Sequence, residues 1–237
     1  MRKVSWPGGR RFAFTMVDDT DFATVENCGP VYGLLADLGF RTIKTVWPLA
    51  ASKKRKSGGG TLADKDYREW VLGLRKQGFE IASHGVTDHT SDRQTTINGL
   101  DRFHTIFDAD PRTYIWHQKQ GEGLCWGSRR LDGSPRLVYR VLQAIRRAER
   151  GYSGDVASSP SFWGDVCQQR ITYVRNYTFH DIHTLSQDPM MPYHDPRRPF
   201  VQFWFSASGA SNVQSAVPLL SEANQDRLVS EGGACIA

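Results

Sequence analysis

Residues 11–17 (Arg-Phe-Ala-Phe-Thr-Met-Val) are apolar on both faces, which predicts a strand covered on both sides rather than a half-wetted antiparallel one. The run ends in the acidic turn Asp18-Asp19-Thr20-Asp21. A helix is expected over about 24–38, closed by Gly39, and then a second strand over 41–47, stopped by Pro48. Over about 64–77, Tyr67, Trp70, Val71 and Leu74 share one helical stripe; Gly78 caps it, and strand 79–83 delivers His84. Ser91 or Asp92 can cap a helix reaching about Phe107, and strand 113–116 ends at His117. Beyond an arginine-rich helix the pattern loosens. Short strands are expected near 171–177 and 201–205, a broken helical region over 212–231, and then Gly232-Gly233-Ala234-Cys235-Ile236-Ala237.

Four strand–helix units in succession predict a mainly parallel sheet with right-handed crossovers. The expected fold is an α/β distorted (β/α) barrel forming a single domain over 1–237. Its last strand is expected to be missing, because a new apolar strand is only beginning at Ala234 after the Gly-Gly turn. At 237 residues, with 39% hydrophobic and 23% charged positions, the chain can bury a full core, and disorder or a fibrous repeat is excluded.

No apolar run approaches the ~18 residues of a membrane span, and the first residues lack a secretory signal, so a cytoplasmic location is expected. The four cysteines at 28, 125, 167 and 235 show no Cys-x-x-Cys spacing and read as reduced packing residues. The net charge of +5 is local. Seven arginines against Asp132 and Glu149 between 129 and 150 account for all of it. Leu137, Val138, Val141, Leu142, Ile145 and Ala148 take one helical face there, and Arg136, Arg140, Arg147 and Arg150 the other, which reads as the solvated outside of a packed helix. The competing reading is attraction to an anionic partner. Without interleaved aromatics, nucleic acid is not among the expected partners. The basic loop before Gly58-Gly59-Gly60 lacks the Gly-Lys-Ser/Thr ending of a phosphate cradle and reads as a solvated insertion.

In parallel α/β sheets ligands sit at the carboxyl ends of the strands. Asp18 and Asp19, His84 and His117 all fall at strand ends. Two adjacent carboxylates in a partly buried site need a cation or a proton between them, although either could simply cap the next helix. Two imidazoles, His84 and His89, plus a carboxylate would leave positions open on a catalytic Zn²⁺ or similar ion.

Phe14-Thr15-Met16-Val17-Asp18-Asp19-Thr20, followed by Gly78-Phe79-Glu80-Ile81-Ala82-Ser83-His84-Gly85, resembles the polysaccharide deacetylase (NodB homology, carbohydrate esterase family 4) superfamily. Pro192-Tyr193-His194-Asp195-Pro196 and Glu231-Gly232-Gly233-Ala234-Cys235-Ile236 are similar to divergent members from bacterial surface-polysaccharide gene sets. The resemblance implies a metal-dependent hydrolase that removes N-acetyl groups from a sugar or glycan. It makes Asp18 the general base and Asp19, His84 and His89 the ligands of a divalent metal, Zn²⁺ foremost. The His84–His89 spacing is one residue longer than the family's, which leaves His104 and His117 as substitutes for the third ligand.

Within the same resemblance Arg93 or Arg112 would orient the base, and the general acid lies either beyond Ala237 or in His194, with Asp195 nearby. His117, Arg93, Tyr193 and Asp195 are the expected substrate contacts. His180 and His183 read as surface residues, and Trp163 and Trp204 as core residues able to offer stacking surfaces. The alternatives are hydrolysis of a non-sugar C–N bond, a catalytically silent carbohydrate-binding barrel, and an anion-binding protein using the arginine helix.

Overall fold

Valine, isoleucine and aromatic residues mix with polar ones in runs too short for helices, several of them ended by glycine, proline or an acidic turn. In the computed structural model, which describes residues 4–51, 57–116, 120–145 and 151–237, these runs form parallel strands. Six of them, β2 (Val17–Asp18), β3 (Ile43–Val46), β4 (Glu80–His84), β5 (Thr113–Ile115), β6 (Tyr173–Phe179) and β7 (Phe203–Ser208), lie in sequence order in one curled half-barrel sheet. The expected first strand is broken at Met16. Its first part, β1 (Ala13–Thr15), pairs instead with β8 (Ala234–Ile236) in register Phe14 to Cys235. The segment expected to be an unfinished strand is therefore paired, and β8 also lies against β7.

Helices α1 (Val25–Asp37), α2 (Lys65–Lys76) and α3 (Arg93–Phe107) follow β2, β3 and β4. α1 and α3 start at a side-chain cap: Thr24 Oγ1 accepts from the Asn27 amide, and Asp92 Oδ1 from that of Thr95. Tyr67, Val71 and Leu74 of α2 pack with Tyr32, Phe79, Phe103 and Phe107 on the convex side of the sheet. α3 meets that side through Gly99, where an added Cβ would lie 2.4 Å from Cβ of Val86.

The later helices are α4 (Gly133–Ile145), α5 (Gly164–Arg170), α6 (Thr184–Gln187), α7 (Val213–Leu219) and α8 (Glu222–Glu231). The sequence pattern gave no sign of α5 or α6. Both are short, and their apolar contacts come from distant segments: Cys167 packs against Trp163, Tyr114 and Trp204. α4 reverses the expectation of a packed helix. Leu137, Val138, Val141 and Leu142 stand exposed, and its main neighbour is the 3₁₀ turn Gly127–Arg130.

The concave interior holds Val17, Ile43, Ile115, Tyr173, Phe205 and Ile236. No helix among the described residues is long and apolar enough to cross a membrane.

Candidate metal centre

Side chains alternate across a strand, so Val17 in the interior places Asp18 on the convex face and Asp19 back on the concave one. The hydrogen bonds follow that division. Asp18 Oδ2 accepts from Lys44 Nζ at 2.7 Å and from the Tyr32 hydroxyl at 3.0 Å. Asp19 accepts instead from Arg175 of β6, Nη1 to Oδ1 at 3.1 Å and Nη2 to Oδ2 at 2.9 Å. Two residues on, Asp21 Oδ2 lies 3.2 Å from His84 Nε2. The strand register explains the meeting. Tyr173 pairs with Thr113 and His84 with Ile115, so Arg175 and His84 both stand beside Ile115 on the concave face.

Asp19, Asp21 and His84 each offer a ligand atom, and these atoms lie within 4.8 Å of one another. His84 is fully buried, and its ring stacks on buried Trp47 at 6.3 Å between centroids and 30° between planes. Immediately beyond it the chain turns at Gly85, whose φ of +62° favours glycine. Burial pushes the Asp19 carboxyl up, but Arg175 and His84 outweigh it and hold the group below the usual carboxylate range. Asp19 is thus ionised at neutral pH. Its paired oxygens still have lone pairs to give, since a carboxylate offers about four acceptor sites and Arg175 takes two.

This donor set fits a divalent cation. Two ligands of a tetrahedral Zn²⁺ with bonds of 2.0–2.2 Å stand about 3.3 Å apart, close to the Asp21–His84 separation. Two carboxylates bring negative charge to the group, one unit of which Arg175 offsets.

The structure therefore brings Asp19 and His84 together, but not with the partners the sequence indicated. Asp18 is turned to the opposite face by strand alternation. His89 faces Asp88, with Nε2 to Oδ1 at 3.2 Å, and stands outside the three-donor group. His104 lies on α3 beside Asp110 at 3.4 Å. His117 lies outside the described residues.

Arg93 does not orient an acid of the cluster. It is paired with Asp165 at the start of α5, at 2.6 and 2.8 Å, and Arg112 lies over the Tyr173 ring. Tyr193, His194 and Asp195 line a separate cavity together with Asn176 and Trp204, which alternate with the inward-facing Arg175 and Phe205. His194 Nδ1 lies 3.1–3.2 Å from the carbonyls of Val201 and Gln202. His183 caps α6, its Nδ1 accepting from the Ser186 amide, and Trp163 and Trp204 are buried in the core.

Asp21 and Arg175 were not picked out in the sequence. Asp21 was legible in principle, because it stands two residues from Asp19. Arg175 carries no local sign, since only the sheet register aims it at Asp19. Compared with known proteins, the chain matches no family model, no curated protein and no solved structure.

Proposed function

We propose that the protein is a metal-dependent hydrolase that removes N-acetyl groups from a sugar or glycan, built on a distorted (β/α) barrel in which β8 and β1 continue the curl of the main sheet. The observation that carries this reading is the convergence of Asp19, Asp21 and His84 at the carboxyl ends of β2 and β4, where parallel α/β sheets bind their ligands. These three residues would hold the ion, Zn²⁺ by its affinity for mixed imidazole and carboxylate donors. When bound, such an ion polarises an acyl carbonyl and lowers the pKa of water.

The chain's own groups do the rest. Arg175 fixes the Asp19 carboxylate and keeps it deprotonated, so it is a ligand rather than a proton acceptor. Trp47 covers one face of the His84 ring and sets its plane. Val17, Ile115 and Phe205 form an apolar cluster on the same concave face as the centre. Asp18, engaged by Lys44 and Tyr32, takes no part in the chemistry.

Metal analysis of the purified chain, together with acetate release from N-acetylglucosamine oligomers, tests the reading. One equivalent of Zn²⁺ is expected in the wild type and none in Asp21→Ala or His84→Ala, with chelator-sensitive acetate release. Failure of the wild type to bind metal would overturn the reading. Metal binding without acetate release would direct the search to other C–N bonds.

A further inference from the structure

A second group of side chains lies away from the metal centre, around Arg130. Its guanidinium carbon is 3.5 Å from the centre of the Trp126 ring and 4.5 Å from that of Tyr177. A guanidinium packed against rings presents its edge, the geometry that receives a carboxylate or phosphate through two parallel hydrogen bonds. One nitrogen, Nη2, donates to the Asn176 carbonyl, whereas Nε is buried with no hydrogen-bond partner among the described residues.

Three neighbouring arginines, Arg129, Arg197 and Arg198, are matched with acids. Arg129 pairs with Asp155 at 2.6 Å, Arg197 with Asp132 at 3.0 Å and Asp195 at 3.3 Å, and Arg198 with Asp132 at 2.8 Å as well as with Asp195. Among the described residues, Arg130 has no carboxylate partner. Burial pulls its pKa down to about 10, which still leaves it charged at neutral pH. A desolvated cation without a counter-charge is costly, and a bound anion relieves that cost.

Arg130 lines a cavity of about 300 Å³ with Asn176, Tyr177, Tyr193 and Trp204. That volume stands at the small end of ligand sites and suits a body the size of one sugar ring. The Asn176 side-chain amide donates to the Tyr193 hydroxyl at 2.8 Å, which leaves the phenolic proton to donate. The two acids on the wall, Asp132 and Asp195, are engaged by Arg197 and Arg198, so they do not cancel Arg130. We propose that this cavity is an anion-binding site, independent of the metal centre, in which the edge of Arg130 receives the carboxylate or phosphate group of a small polar molecule.

Calorimetric titration of the full chain with glucose 1-phosphate and with glucuronate separates the two anion sources, and glucose serves as the uncharged control. Saturable one-to-one binding of at least one charged probe is expected, with none of glucose. Arg130→Gln should weaken it at least tenfold, and Arg130→Lys nearly as much, because an ammonium lacks the flat two-donor edge. Asp21→Ala should leave it unchanged, which keeps this site distinct from the metal centre. No binding of either probe, equal binding by Arg130→Gln, or loss of binding in Asp21→Ala would overturn the proposal. Where Arg130→Gln does not fold, Asn176→Asp carries the test. A carboxylate among the same lining residues should displace the ligand, and undiminished binding would count against the site.

Discussion

Asp18 and Lys44 offer the sharpest test of how the two adjacent acids divide their work. Lys44 is fully buried, and Asp18 Oδ2, 2.7 Å from its ammonium, is its carboxylate partner. Burial pulls the Lys44 pKa down, but Tyr67 and Asp18 together reverse this and leave it raised, so the charge persists in the folded state. Asp18→Asn strands that charge. Breaking a buried pair by removing one partner costs about 3–5 kcal/mol. Asp18 is about a third exposed and asparagine keeps an acceptor, so the lower end, about 3 kcal/mol, applies.

With an unfolding entropy of roughly 2.1 cal/mol/K per residue, 237 residues give about 0.5 kcal/mol/K, and Tm should fall by about 6 °C. Calorimetry at pH 7 reads this directly. Lys44→Met combined with Asp18→Asn should recover most of the loss, because no unpaired charge then remains. From neutral pH upward, the pair's contribution is complete below the unfolded lysine pKa of about 10.4 and is lost as pH rises through the higher folded value, so the gap between wild type and Asp18→Asn should close in strong alkali. An Asp18→Asn protein that melts like the wild type yet loses turnover would refute the reasoning and return Asp18 to the role of base.

Other expectations are narrower. His89→Ala should keep its full equivalent of Zn²⁺ by metal analysis, because His89 faces Asp88 rather than the centre; loss of the metal would restore it as a ligand. Arg175→Met should be less stable than the wild type at pH 7. The gap should narrow below about pH 4, since wild type loses the Asp19 contribution as pH falls through its lowered pKa and the variant has none to lose; denaturant titrations at pH 7, 5 and 3 would expose a constant gap. Gly99→Ala gains about 1 kcal/mol of helix propensity but drives a methyl to 2.4 Å from Val86, a clash of about 1–3 kcal/mol, so a net loss of stability is expected in urea melts. Ellman's reagent should find at most one thiol, Cys28, in the native protein and four in denaturant. Cys125, Cys167 and Cys235 are buried, and burial raises their pKa values, that of Cys235 to about 11.

The sequence carried the parallel α/β architecture because short runs rich in β-branched and aromatic residues recur between longer segments with an apolar helical stripe, and both signals are local. It also placed Asp19 and His84 at strand ends. Lys44 is the one charged residue of β3, and a cation in a strand covered on both sides calls for an acid to face it. Which of Asp18 and Asp19 turns inward depends on one residue of register, and a shift of one exchanges the faces. Only the paired sheet fixes that choice. The same holds for Arg175, which is 156 positions from Asp19 in the chain, and for Arg130, whose lack of a carboxylate partner among the described residues is a property of its neighbours in space. Periodicity is written in adjacent residues, whereas charge pairing is settled by whatever the fold brings within a few ångströms.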